Sequence, residues 1–282
     1  MTEVGDNIFK LQQINDLMKK LNIAVVCDPI SHLTSGSIVS TLRFAEYLKK
    51  RGHKIIFISA MDSKKKEANY FKGFRVYRFR SFALPGSRGQ YILAFPRIKK
   101  IKQIFKKEKI DIVHFIDPTP SSILCIKSAK SLGIPIVAHA HMQPENIFLE
   151  LPKIVRGKKL NDLFYRYLIW IYRKTDAVIS PSKFGEDILR RYEPNLKIFV
   201  VSNGVNLFSF KKIKYDDLIK KHGLSKKDKR LLYVGRLHKE KSVHTLVEAM
   251  PLVLKEMKNV HLSIVGAGHL KEELESLAKK LN

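Results

Sequence analysis

The chain has 282 residues, enough for two domains at ~150 residues each, and its 53 Lys and Arg against 26 Asp and Glu give a formal charge of +27. A hydrophobic content of 45% with 10% aromatics supports a sizeable core and excludes a disordered chain. Cys27 and Cys125 are too few for a disulfide framework or a structural zinc site, no apolar run approaches the ~18 residues of a membrane span, and a start that carries Glu3 and Asp6 is not a secretory signal, so a cytoplasmic protein is expected.

An amphipathic helix is expected around residues 8–21, as an N-terminal extension over residues 1–21. Apolar runs of strand length then recur at 23–27, 55–58, 112–115, 136–138, 177–179, 198–201, 231–234 and 262–265. They are continuous rather than alternating, as strands covered on both faces are, and helical patterns separate them. Ile38, Leu42, Ala45 and Leu48 form an inward stripe on a helix that Gly52 stops. Over 153–174, Leu160, Leu163, Phe164, Tyr167, Leu168 and Ile171 share one helix face, with Tyr165, Ile169, Trp170 and Tyr172 widening it. Such a basic aromatic helix lies either on a membrane interface or against the sheet. The stretch 207–229 is lysine-rich and lacks a strand signal. A second βα series follows, in which Val243, Leu246, Val247, Met250, Val253 and Leu254 repeat the helical stripe. The expected fold class is α/β, with parallel sheets in two domains over 22–205 and 206–282, the second incomplete with two strands of about six.

Ligands of open parallel sheets bind beyond the carboxyl ends of strands, so the strand-to-helix loops carry the candidate residues. The loop 28–37 is rich in small residues, and Ser35 and Gly36 precede a helix whose N-terminus suits an anion; an ordinary capped turn reads the same way. His139 and His141, two apart at a strand end, are expected on opposite faces, so that one of them reaches a substrate hydroxyl and the two do not share a metal. Gly235, Arg236 and Lys241 bracket the start of the late helix, a planar fork and a mobile point charge suited to a diphosphate, or else two surface cations in a basic chain. Gly266 and Gly268 form a second glycine loop on the same edge. The excess charge fits nucleic-acid binding, attraction to an anionic membrane at about 1 kcal/mol per well-placed cation, or lysines spread over solvated faces and runs such as 64–66 and 226–229.

Six stretches taken in order resemble one family: TSGSIVSTLRFAEYLKKRGHKIIFIS, DIVHFIDPTP, GIPIVAHAH, DAVISPSKFGEDIL, VSNGVNLFSF, and LLYVGRLHKEKSVHTLVEAM with LSIVGAG. Together they make the chain similar to the group 1 (family 4) retaining glycosyltransferases of the GT-B fold. The resemblance implies two Rossmann-like domains, a first that binds the acceptor and a second for a nucleotide-sugar donor, which is a substrate; no cofactor and no metal are expected. It implies that Gly36 lies near the donor diphosphate, with Ser35 in place of the first glycine of the usual pair, and that His141 is the catalytic histidine. Arg236 and Lys241 become the pair that holds the diphosphate, Gly266 and Asn203 further donor-binding residues, and Asn203-Gly204 the turn between domains. Two glutamates of the family pattern have no counterpart here, which implies a C-terminally truncated chain; an inactive fragment or one subunit of a split enzyme is the alternative reading. The segments GFRVYRFRSFALPGSRGQYILAFPRIKKI and HMQPENI are similar to members that glucosylate diacylglycerol-type lipids. A lipid or glycan acceptor, peripheral contact with an anionic membrane at the inner face of the cell, and no nucleic-acid partner follow as expectations.

Overall fold

The computed structural model describes residues 19–31, 35–61, 69–83, 92–148, 157–207, 225 and 227–281. The helix expected over 8–21 lies outside these residues except at Lys19, Lys20 and Leu21, which are not helical, and so do His32 to Thr34 and most of 207–229. The chain divides into two compact units, residues 1–144 with 157–204, and 145–156 with 205–282.

The first unit is built on an eight-stranded sheet. Its strands are β1 (Asn22–Val26), β2 (Lys54–Ala60), β3 (Tyr70–Phe71), β4 (Phe74–Phe79), β7 (Ile112–Phe115), β8 (Ile136–His139), β9 (Ala177–Ser180) and β10 (Ile198–Val200). Their spatial order is β10-β9-β8-β7-β1-β2-β4-β3, parallel throughout except for the short edge strand β3. Strand β1 sits at the centre, with Ile23 opposite Ile55 on one side and Ile112 on the other. Successive side chains leave a strand on opposite faces, so one run supplies two cores. Ala24 and Val26 join one cluster with Phe105, Leu168 and Tyr172; Ile23, Val25 and Cys27 join the other with Ile38, Leu42 and Ala45.

The helices of this unit are α1 (Gly36–Lys50), α2 (Ile98–Lys107), α3 (Pro120–Lys130), α5 (Lys158–Tyr172) and α6 (Lys183–Tyr192), while α4 (Pro144–Phe148) belongs to the second unit from Glu145 onward. α1 ends as expected: Gly52 takes φ +88° and the backbone N–H of His53 donates to the Leu48 carbonyl at 3.1 Å. α5 packs on the sheet through Tyr165, Leu168, Ile169, Ile171 and Tyr172, each at most 5% exposed, whereas Leu163 is 64% exposed. The buried stripe is therefore rotated from the one centred on Leu160, Leu163 and Phe164, because Tyr165 stacks on Tyr192 of α6 at 4.7 Å. Two further strands, β5 (Ser81–Ala83) and β6 (Ile92–Ala94), pair as an antiparallel ribbon.

The second unit holds β11 (Lys229–Val234), a single 3₁₀ turn at Lys239–Lys241, α7 (Val243–Glu256), β12 (Val260–Val265) and α8 (Lys271–Leu281). The two strands are parallel. Leu237, Val243, Val247, Leu270 and Leu274 form its core with Tyr233 and Ile264. Of the stripe expected on α7, only Val243 and Val247 are buried, and Leu246 is exposed, because the cluster closes over one face of a two-stranded sheet.

Candidate active site

The chain runs from β1 to β2 on one side, and β7 lies on the other, so the topological switch point falls between β1 and β7. A crevice is expected there beyond the carboxyl ends. Both strands lead into an Asp-Pro pair, Asp28-Pro29 and Asp117-Pro118. The Asp28 carboxylate accepts from the Ala60 backbone N–H at 2.5 Å, from the Thr119 hydroxyl at 2.7 Å and from the Ser121 hydroxyl. Asp117 in turn accepts from the Asp28 backbone. Burial raises the pKa of Asp28 against these hydrogen bonds. Burial and the neighbouring Asp28 charge push Asp117 up to about 7, so that carboxyl is partly protonated at neutral pH. Neither aspartate was singled out in the sequence; the apolar run broken by Asp-Pro at the switch point was the available signal.

A column of aromatic rings stands on the same edge. Phe44 of α1 meets His114 edge-on at 5.3 Å, His114 stacks on His139 at 5.6 Å, and His139 stacks on His141 at 4.0 Å. His139 and His141 therefore do not diverge as expected. Residues two apart along a strand share one face, which is why the two rings meet rather than diverge, and just past the end of β8 the His141 backbone N–H folds back to the His139 carbonyl at 3.2 Å. The Nε2 atoms of all three histidines are buried without a hydrogen-bond partner among the described residues. Burial pulls His114 and His141 down to about 4, and burial with its two neighbours pulls His139 to about 2, so all three rings are neutral at pH 7. Neutral imidazoles with open nitrogens can donate to or accept from substrate hydroxyls. Among the described residues no group of His, Cys, Asp or Glu is arranged to hold a metal ion.

Gly36 opens α1, and a methyl group there would touch nothing within 4 Å, so packing does not require glycine. Ser35 stands at the N-cap but its hydroxyl pairs with that of Ser37 at 2.8 Å, and no side chain caps the helix. Asn203 is exposed in the segment leaving β10. Gly204 takes φ +65°, and its carbonyl accepts from Arg43 at 2.9 Å.

In the second unit, Arg236 follows Gly235 directly after β11, and its guanidinium donates to Glu240 at 2.5 Å. Lys241 closes the 3₁₀ turn before α7, exposed and without an ion pair among the described residues. Gly266 and Gly268 have a steric explanation. A Cβ on Gly266 would lie 1.9 Å from the Gly235 carbonyl oxygen, and one on Gly268 would lie 2.2 Å from that of Leu237. The two loops are also laced by backbone bonds from Gly235 to Val265 at 3.0 Å and from Leu237 to Ala267 at 2.9 Å. Close approach of the two loops thus accounts for both glycines.

Two family models match the chain in order, Glycosyltransferase Family 4 over residues 34–207 and Glycosyl transferases group 1 over residues 214–282. The alpha-monoglucosyldiacylglycerol synthase of Streptococcus pneumoniae is 27% identical over 270 residues, with 93% of this chain and 59% of that protein covered. The protein of the same name from Acholeplasma laidlawii is 25% identical, with 91% and 66% covered. The chain thus spans about three-fifths to two-thirds of the length of these relatives. Among solved structures, the sucrose-phosphate synthase of Thermosynechococcus elongatus superimposes with a TM-score of 0.68 at 17% identity, covering 93% of this chain and 68% of that one. The catalytic domain of starch synthase IV from Arabidopsis thaliana gives 0.59 at 14% identity, covering 93% and 72%. At these identities the likeness is one of fold.

Proposed function

The chain belongs to the family 4 glycosyltransferases, with the α/β fold of GT-B enzymes, and from that premise we propose that it serves the transfer of a sugar from a nucleotide-sugar donor to a lipid acceptor with retained configuration. The observation that carries this reading is the ordered match of both family models, together with likeness to two alpha-monoglucosyldiacylglycerol synthases along nine-tenths of the chain. In the reaction, the bond from the anomeric carbon to the diphosphate oxygen breaks, a bond to the acceptor hydroxyl oxygen forms, and the hydroxyl proton leaves with the diphosphate. Arg236 and Lys241 take the growing negative charge of the leaving group, the kind of stabilisation that is commonly the largest catalytic contribution. Gly266 on the second unit, and Gly36 and Asn203 on the first, are further donor-binding residues in this reading. His141, held neutral in its column, hydrogen-bonds the reacting sugar, and the crevice of Asp28 and Asp117 receives the acceptor hydroxyl. The acceptor class places the protein at the inner face of a membrane; among the described residues no helix is long and apolar enough to cross one.

The test is a screen of nucleotide sugars for thermal stabilisation of the chain, followed by transfer to diacylglycerol in mixed vesicles. A ligand at ~100 times its dissociation constant stabilises by about 2.7 kcal/mol. One nucleotide sugar is expected to raise the melting temperature, and the Arg236→Ala/Lys241→Ala variant is expected to lose that shift. A shift retained in the variant refutes the placement of the donor, and the absence of both binding and transfer refutes the reading as a whole.

A further inference from the structure

A functional imidazole is usually aimed by a hydrogen bond. One ring nitrogen is held by a carboxylate or a backbone carbonyl, which fixes both the tautomer and the direction of the other nitrogen. His141 lacks that device. Its backbone is tied down, since the His141 N–H donates to the His139 carbonyl at 3.2 Å and the Ala140 N–H to that of Ile179 at 2.8 Å. Its ring is not: among the described residues no hydrogen bond reaches the side chain of His114, His139 or His141, and the Nε2 atom of each is buried without a partner.

Ring contact is what remains to orient it. The inner end of the column is rigid, because His114 is buried on β7 and meets Phe44 of α1 edge-on, with planes 88° apart. His139, half-buried at the end of β8, lies nearly parallel to His114, at 11° and 5.6 Å. His141 lies on His139 at 24° and 4.0 Å, which puts the two ring faces in van der Waals contact. The middle ring thus connects the buried sheet to the histidine that stands past its edge. Among the described residues, the charges that bear on these three rings come from one another, and like charges at such separations repel, so the stack favours three neutral imidazoles.

We propose that His139 is a positioning residue: its ring, stacked on His114 and on His141, holds the His141 imidazole in one orientation by face contact, the part that a hydrogen-bonded carboxylate plays in other sites. The inference rests on the reading of His141 as the group that hydrogen-bonds the reacting sugar. A stacked aromatic pair favours its geometry roughly two- to tenfold, which sets the size of the effect. Any flat ring at residue 139 would serve. That separates this role from one in which Nε2 of His139 itself meets the substrate, because a phenyl ring keeps the stack and has no nitrogen.

The test compares the wild type with H139F, which keeps a flat ring, and H139L, which keeps only the bulk. Histidine side chains of the 282-residue chain are titrated by NMR, and sugar transfer is measured in parallel. In the wild type His141 is expected to titrate at about 4. H139F should keep that value, whereas H139L should raise it by about one unit, a tenfold change, as the loosened ring turns toward water. In transfer, H139L is expected to lose roughly five- to tenfold in kcat with the KM for the nucleotide sugar within about twofold, and H139F to stay within about twofold of the wild type in both. A leucine variant that matches the wild type on both scales overturns the role of the ring. A phenylalanine variant as impaired as the leucine one assigns substrate contact to the nitrogens of His139 and overturns positioning. Where leucine prevents folding, the titration in H139F decides alone, since a His141 returned to 6.5 in that variant overturns the stack. A wild type without transfer activity refutes the glycosyltransferase reading, and the titrations still decide what His139 does to His141.

Discussion

The stacked histidines make a sharp claim about acid. Each holds its proton less tightly in the folded chain than the ordinary value of 6.5, about 4 for His114 and His141 and about 2 for His139. The unfolded chain therefore takes up protons first, and stability falls as the pH drops from about 7 toward 4. At pH 5, keeping one such ring neutral costs about 2 kcal/mol more than at pH 7, so three cost about 5–6 kcal/mol. Asp117 works the other way. Raised to about 7, it is protonated in the folded state before it is in the unfolded one and returns about 2 kcal/mol over the same interval. Asp28, also raised by burial, adds to that return, while His53 adds to the loss, since burial lowers it and its Nδ1 accepts from the Leu21 backbone N–H at 3.1 Å. The net expectation is a first unit about 3 kcal/mol less stable at pH 5 than at pH 7, a large share of the 5–15 kcal/mol that ordinary domains possess. Urea denaturation followed by circular dichroism at the two pH values measures it. His114 is 4% exposed against Phe44, so His114→Phe keeps the ring and removes one proton site, and the pH-dependent loss should shrink by about 2 kcal/mol. Equal stability at pH 5 and pH 7, or an unchanged pH dependence in the phenylalanine variant, refutes the account.

Two further predictions concern the fold around the sites. Gly266→Ala places a methyl carbon 1.9 Å from the Gly235 carbonyl oxygen and should destabilise the second unit by about 2–3 kcal/mol, whereas Gly36→Ala meets open space and should change stability by under about 1 kcal/mol; thermal melts of both variants decide. Glu108 is 3% exposed and is held by Tyr77, by Lys54 at 2.8 Å and by Arg75 at 3.7 Å. Burial alone would raise its pKa, but these partners bring it below the usual value, so its contribution is present at neutral pH and is lost as the pH falls below about 4.5. Glu108→Ala should cost about 2–3 kcal/mol at pH 7 by urea denaturation and lose that difference near pH 3.

All eight apolar runs singled out in the sequence are strands; the central ones are apolar at every position because both faces are covered, whereas Leu231, Leu232 and Val234 of β11 are exposed. That rule fails toward the edge. In β4, Phe74 and Val76 are buried while Arg75 faces solvent, so the run FRVYRF alternates and its lysine-rich successor α2 shows only Ile101, Ile104 and Phe105 inside. Arg236 and Lys241 were legible as cations at a helix start, since position and charge are both written in the chain. The Glu240 partner of Arg236 was not, because it comes from side-chain geometry in a tight turn. The histidine column was half legible: His139 and His141 stood out by their spacing, which on a strand is the same-face one and not the opposite-face one expected, whereas His114 joins them only because β7 and β8 are neighbours, with His114 beside Val137.

The distribution of charge along the carboxyl edge of the sheet separates two tasks. At the switch point the protein suppresses charge: three imidazoles are neutral at pH 7 and one of two carboxyls is near its midpoint. A surface of this kind recognises hydroxyl groups by hydrogen bonds without attracting ions. Farther along the same edge, beyond Ala60 and Phe79, Arg78, Arg80, Arg97, Lys99 and Lys100 line one cavity, with no carboxylate in its lining among the described residues. Ala60, whose backbone N–H donates to Asp28, and Met61, which lines the cavity, join these two stretches. Shifting charge across this join, for instance by Ala60→Asp, would bring a carboxylate beside the buried Asp28 and should therefore damage the crevice and the cavity together.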